Sequence, residues 1–145
     1  MSRTIYFSGA ISAGREDLPS YRRIVDALER AGHRVLAGAV TDSSIGAAGE
    51  QRPPAEIFAR DMAWLEEVAA ERGVLVAEVS RPSLGVGYEI ATGRYHFGMP
   101  VICLYRPAFT RRCSGMIAGD PGVRLIEYTD ESAPRMLEEL LAALA

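Results

Sequence analysis

Residues 73–79 read Gly73-Val74-Leu75-Val76-Ala77-Glu78-Val79, and this stretch decides the fold. A nearly continuous apolar run of this length, rich in Val, suits a central parallel strand covered on both faces. Upstream, Pro53-Pro54 opens a helix that runs to about Ala70. Downstream, Ser80 to Gly87 reads as a turn, followed by a helix from near Tyr88 to Gly98. Further out the same alternation continues. Thr4-Ile5-Tyr6-Phe7, ended by Ser8-Gly9, reads as strand one, and Tyr21, Ile24, Val25 and Leu28 recur at helical spacing before Gly32. Arg34 to Val40 reads as strand two, Val101 to Tyr105 as strand four, Val123 to Tyr128 as strand five and Ser132 to Ala145 as a closing helix. Between strand two and Pro53, Thr41 to Arg52 is polar, contains Gly and has no period, which marks a long loop of the kind that serves as a lid or binding loop.

Strands alternating with helices predict an α/β, doubly wound, five-stranded parallel sheet with helices on both faces, in the flavodoxin/Rossmann-like order 2-1-3-4-5. Ligands of such sheets bind beyond the carboxyl ends of the strands, at the switch point between strands one and three. The loops after Phe7 and after Val79 should therefore face each other across a site.

Composition narrows the chemistry. With 145 residues, 48% hydrophobic and 24% charged, the chain reads as a single domain, 1–145, neither disordered nor divided in two. No apolar run reaches the roughly 18 residues of a membrane span, and Met1 to Thr4 lead into a strand rather than a signal peptide. A cytoplasmic setting, with no membrane partner, is expected. A net charge of −3 offers no general field for a nucleic acid polymer. All 16 basic residues are Arg, so a Schiff-base or P-loop lysine is excluded. Two cysteines, Cys103 and Cys113, make neither a disulfide framework nor a zinc pattern, and His33 and His96 are far apart. His33, at a helix-to-strand corner, is expected on the surface. No metal and no cofactor are expected.

Several residues stand out by position. On a helical wheel Asp61 falls within the apolar arc of Ile57, Phe58, Met62, Trp64, Leu65 and Val68. A carboxylate there is either a structural partner for an Arg or a cap elsewhere, or a general acid whose pKa burial has raised. Ser83-Leu84-Gly85-Val86-Gly87-Tyr88-Glu89 follows the central strand: Gly85 and Gly87 permit close approach of a ligand, a helix N-terminus suits a phosphate, and Ser83 adds a hydroxyl. Glu89 is either a helix-dipole partner or a carboxylate aimed into the crevice. Tyr6 ends a strand beside Gly9 at the same edge. Arg15-Glu16-Asp17 reads more readily as a solvated loop cluster, and at least one of Arg111 and Arg112 as exposed.

Taken together, Tyr6-Phe7-Ser8-Gly9, Gly14-Arg15-Glu16-Asp17, Asp61-Met62-Ala63-Trp64-Leu65 and the run Val76 to Glu89 resemble the 2′-deoxynucleoside 5′-phosphate N-hydrolase family, relatives of the nucleoside 2-deoxyribosyltransferases. Cys103 to Pro107 and Ser114 to Ile117 extend the resemblance over most of the chain. It implies hydrolysis of the bond between a nucleobase and deoxyribose 5-phosphate, without metal or cofactor. It further implies Glu89 as the attacking carboxylate, Asp61 as the second catalytic acid and Tyr6 beside the sugar, where it helps exclude a 2′-hydroxyl. Ser83, Gly85 and Ser114 match phosphate contacts, Ser114 coming from the neighbouring subunit of a homodimer. The chain departs from the family after strand one: Gly9-Ala10-Ile11-Ser12-Ala13-Gly14-Arg15 lacks a hydroxyl at Ala10 and a guanidinium at Ser12, where Ser12 and Arg15 are the available substitutes. Gly38-Ala39 stands where the family has a Glu-His pair. Two other readings stay open: a deoxyribosyltransferase, and a non-catalytic nucleotide-binding domain.

Overall fold

The computed structural model describes residues 1–12 and 15–145; Ala13 and Gly14, part of the segment after strand one, lie outside the described residues. Five parallel strands form one sheet in the order β2-β1-β3-β4-β5: β1 Thr4–Gly9, β2 Arg34–Leu36, β3 Val74–Glu78, β4 Val101–Tyr105 and β5 Val123–Glu127. The helices are α1 Leu18–Arg30, α2 Pro54–Ala70, α3 Leu84–Ala91, α4 Gly115–Ala118 and α5 Ala133–Leu144. This is the predicted topology.

Period-two alternation divides the core. Ile5, Phe7, Val74, Val76, Ile102 and Leu104 point to one face, where Tyr21, Ile24 and Leu28 of α1 and Met136 and Leu140 of α5 cover them. Tyr6, Leu75, Ala77, Val101 and Cys103 point to the other, beneath Leu65 and Val68 of α2 and Val86 and Ile90 of α3. The corner between α2 and β3 depends on Gly73, because a Cβ there would stand 2.2 Å from the Thr4 carbonyl oxygen.

The structure departs from sequence-based expectation in four places. Strand two ends at Leu36, and Gly38–Thr41 forms a 3₁₀ turn instead. Gly38 has φ of +50°, and the Trp64 ring lies where its Cβ would be, so the chain turns under that ring. The helix expected from Tyr88 starts at Leu84: Ser83 is its N-cap, with the Val86 N–H donating to Ser83 Oγ at 3.3 Å, and Gly85 and Gly87 lie in its first two turns. After Ala91 the coil widens into a π-helical turn over Thr92–His96. His33 is buried rather than on the surface, its Nδ1 accepting the Arg3 N–H at 3.1 Å, with a pKa lowered chiefly by burial. Finally, of Arg15-Glu16-Asp17 only Glu16 is solvated as expected. Asp17 is buried between Arg81 (3.1 Å) and Arg106 (3.0 Å).

Candidate active site

Three elements converge at the carboxyl edge of the sheet, where β1 and β3 diverge. Tyr6 and Ser8 share the face of β1 that looks towards α2 and α3, α2 carries Asp61, and α3 carries Glu89. Asp61, Gly85 and Glu89 line one crevice of about 420 Å³, walled by Ile57, Met62 and Leu65. Its mouth is flanked by Phe58 and Tyr88, packed edge to face with ring centres 6.4 Å apart.

Glu89 is the most perturbed carboxyl of this group. Burial pushes its pKa up to about 7, while Tyr6 and Ser8 draw it down and the neighbouring charge of Asp61 raises it further. The Ser8 contact is not a closed hydrogen bond, since Ser8 Oγ is buried with no partner among the described residues. The Tyr6 phenol is raised well above its ordinary value, by burial first and then by Glu89, so it stays protonated and remains a donor. Asp61 is also raised, again chiefly by burial, although Arg60 opposes the shift. Arg60 Nε donates to Asp61 Oδ1 at 2.9 Å, and its two terminal nitrogens hold Glu50. Asp61 thus lies among apolar neighbours, where the wheel places it, and has an Arg partner.

A second cavity, of about 560 Å³, lies on the other side of the α3 N-terminus. Ser83, Gly87 and Ser114 line it, with Arg81, Arg94 and Arg112. Gly85 and Gly87 leave open space where a side chain would stand; at Gly87 an added Cβ would meet nothing within 4 Å. Gly9, Ser12 and Arg15 belong elsewhere: among the described residues they line neither cavity. Gly9 packs on Val40 and Tyr21, and exposed Ser12 lies against Gly49 of the long loop. Arg15 donates to the carbonyls of Ile11 (3.0 Å), Asp42 (3.1 Å) and Val40 (2.9 Å), which ties the loop after β1 to the loop after β2. Arg111 and Arg112 are both exposed.

Sequence reasoning missed Ser8, Arg60 and Glu50. Ser8 was within reach, because period-two alternation places it on the face of Tyr6. Arg60 adjoins Asp61 in the chain, but nothing in the periodless loop pointed to Glu50 as its second partner.

An apolar crevice with two partly buried carboxyls and a phenol, at the switch point of a doubly wound sheet, has the equipment for glycosidic bond cleavage without a metal. Comparison with known proteins agrees. No family model matches the chain. A 5-hydroxymethyl-dUMP N-hydrolase of Mus musculus is 39% identical over 145 residues, covering 97% of this chain and 80% of its own. A Nematostella vectensis chain bearing the name 2′-deoxynucleoside 5′-phosphate N-hydrolase is 39% identical over 149 residues, covering 99% and 97%. Among solved structures, a CMP N-glycosidase of Clostridium botulinum superposes with a TM-score of 0.64 over 97% of this chain and 99% of its own, at 14% identity, a likeness of fold. The protein is an N-glycosidase. It belongs to the 2′-deoxynucleoside 5′-phosphate N-hydrolase family.

Proposed function

We propose that the protein hydrolyses the N-glycosidic bond of 2′-deoxynucleoside 5′-monophosphates, with Glu89 as nucleophile. The observation that carries this reading is the Glu89 carboxyl, held beside Tyr6, Ser8 and Asp61 in a crevice where, among the described residues, no cation is paired with it directly. Cleaving the bond builds positive character on the sugar and negative charge on the departing base. Glu89 attacks C1′, the C1′–N bond breaks, and its electron pair leaves with the base. Asp61 gives that base a proton. Water then adds its oxygen to C1′ as the bond from C1′ to Glu89 breaks, and its proton passes to Asp61, which releases 2-deoxyribose 5-phosphate and restores both carboxyls.

Tyr6, buried under the sugar position with its phenol towards Glu89, restricts the space for a 2′-hydroxyl. The 5′-phosphate binds at the α3 N-terminus through Ser83 and the Gly85–Gly87 backbone. The chain's own Ser114 lines this cavity with Ser83, and a homodimer brings Ser114 of the partner subunit to its rim. The homodimer is supported by exposed apolar side chains around the second cavity: Leu84 is 97% and Met116 86% exposed. Ser12 and Arg15 are the remaining phosphate candidates after β1, with Arg15 contributing only if it gives up its carbonyl contacts. The relatives' names, which specify deoxynucleoside 5′-phosphates, support the substrate class.

The test is incubation with a panel of nucleosides and nucleotides while free base and sugar phosphate are followed by NMR. Free base from deoxynucleoside monophosphates without an added acceptor is expected. Product only with an acceptor base would make the protein a transferase, and binding without turnover a nucleotide sensor.

A further inference from the structure

Beyond Asp61, the far side of α2 borders a hollow of about 850 Å³, lined by Gly38, Ala39, residues of the loop over 42–53 including Glu50, and Arg60 and Trp64. Arg60 separates this hollow from the crevice that holds Glu89. Its guanidinium lies 5.1 Å from the centre of the Trp64 ring, and its fork is divided between two carboxylates. Glu50 accepts from both terminal nitrogens, Nη2 at 3.0 Å and Nη1 closer, whereas Asp61 accepts from Nε through Oδ1 at 2.9 Å, the same oxygen lying 2.9 Å from Nη2. The Glu50 side chain is only 9% exposed, against 22% for Arg60 and for Asp61. Among the described residues no donor reaches Asp61 Oδ2. Arg60 therefore bridges two largely enclosed carboxylates; exposed Arg52 also approaches Glu50, its Nε 3.7 Å from Oε1.

This arrangement has a consequence for Asp61. A guanidinium given wholly to a carboxylate fixes that carboxylate as the anion, which is the wrong state for donating a proton. A guanidinium drawn off by a second carboxylate leaves the first oriented but able to hold a proton. The other ionisable groups facing Asp61 are Glu89 of α3 and Tyr6 of β1. Neither is on the loop, whereas Glu50, which also acts on Asp61 through its charge, is.

We propose that Arg60 is a positioning residue for Asp61, and that Glu50, by holding the bidentate face of Arg60, couples the seating of the 42–53 loop to the state of the Asp61 carboxyl. With the loop seated, Asp61 is oriented through a single oxygen, Oδ1, and its Oδ2 is free to carry a proton. With the loop displaced, Arg60 turns to Asp61 and holds it as the anion. The functional value of this coupling rests on the acid role given to Asp61 above.

The test measures Asp61 directly. In protein labelled with ¹³C at the aspartate carboxyls, the Asp61 resonance is assigned by its loss in Asp61→Asn and titrated in wild type, Glu50→Gln and Arg60→Gln. Glu50→Gln should lower the Asp61 pKa and Arg60→Gln should raise it, each by about 1 unit. Opposite signs are the signature, because loosened packing would move both variants the same way. Shifts of one sign, or no shift in Glu50→Gln, would overturn the proposal. Glu50→Gln alters a loop residue and serves alone if Arg60→Gln does not fold. Trp64, the only tryptophan, gives an independent readout: its emission should change in Arg60→Gln and in Glu50→Gln, and unchanged emission in both would contradict the proposed coupling. Full turnover by Asp61→Asn would defeat the acid role of Asp61 and leave opposite pKa shifts standing, so the two failures are distinguishable.

Discussion

Two glutamates stand at the carboxyl edge of the same sheet, on opposite faces, and their surroundings could hardly differ more. Glu78, the last residue of β3, looks towards α1 and α5 and is 2% exposed. It accepts from the Ser80 N–H at 2.7 Å, the Ser80 hydroxyl at 2.9 Å and the Tyr128 phenol. Ser80 Oγ in turn accepts the Arg106 N–H at 2.8 Å, so the ends of β3, β4 and β5 are fastened together. Glu89, towards α2 and α3, has a phenol, an unpaired hydroxyl and another carboxylate for neighbours. Burial raises both, yet only Glu78 is enclosed by donors. A satisfied buried carboxylate holds a fold together, whereas an under-satisfied one beside a cavity has its bonding capacity left for a ligand.

The largest expected effect separates the two directly. Glu89→Gln should lower turnover roughly 10³–10⁵-fold, because an amide is a poor nucleophile, while the fold survives. Glu78→Gln should do the reverse: it loses charge-assisted bonds and about 1–3 kcal/mol of stability, read as a lower Tm, with any turnover loss following the folded fraction. If Glu78→Gln abolished turnover without lowering Tm, the comparison would be broken. Asp61→Asn should cost about 10²–10⁴-fold in kcat, and a substrate with an activated leaving group should recover much of it. Absence of recovery would make Asp61 an orienting residue.

The comparison also has a pH dependence. The nucleophile must be ionised, so kcat/KM should rise with pH through an apparent pKa near the value of about 7 at Glu89. Stability should move the other way. The folded pKa of Glu89 lies above its unfolded value, so the native state binds the extra proton, and this contribution is lost as pH rises from about 4.5 through about 7. Glu89→Gln should therefore match wild type in stability near pH 4 and exceed it near pH 8, by about 1–3 kcal/mol, read as a higher Tm. Equal pH dependence of Tm in the two proteins would contradict the burial argument.

Smaller effects bear on the sugar and the phosphate. Wild type should cleave dGMP well and GMP poorly, and Tyr6→Phe should lower turnover and narrow that ratio; equal rates on the two sugars in wild type would remove Tyr6 from the selectivity argument. Ser114→Ala should raise KM for nucleotides several-fold, up to about tenfold, and leave nucleosides little affected.

Much of this was legible before any coordinates. The run Val74 to Val79 settled the parallel sheet, and the helical wheel singled out Asp61, because strong periodicity survives without tertiary information. The start of α3 was misplaced because Gly85 and Gly87 argue against helix locally, while the Ser83 cap and the burial of Val86 and Ile90 outweigh them. Glu78 was read as a strand residue and no more, since its partner Tyr128 lies just beyond β5, 50 positions away. The Glu50–Arg60 pair was hidden for the same reason: a loop without a period gives no direction to its side chains. Contacts between distant segments are what a single sequence does not carry.

The central claim is that the under-satisfied carboxylate forms the bond to the sugar. Its most direct test is peptide mapping of protein quenched in acid during turnover of a deoxynucleoside monophosphate. The account predicts a 2-deoxyribose 5-phosphate adduct on the peptide containing Glu89 and none in Glu89→Gln. An adduct on any other side chain, or one formed equally by Glu89→Gln, would contradict it.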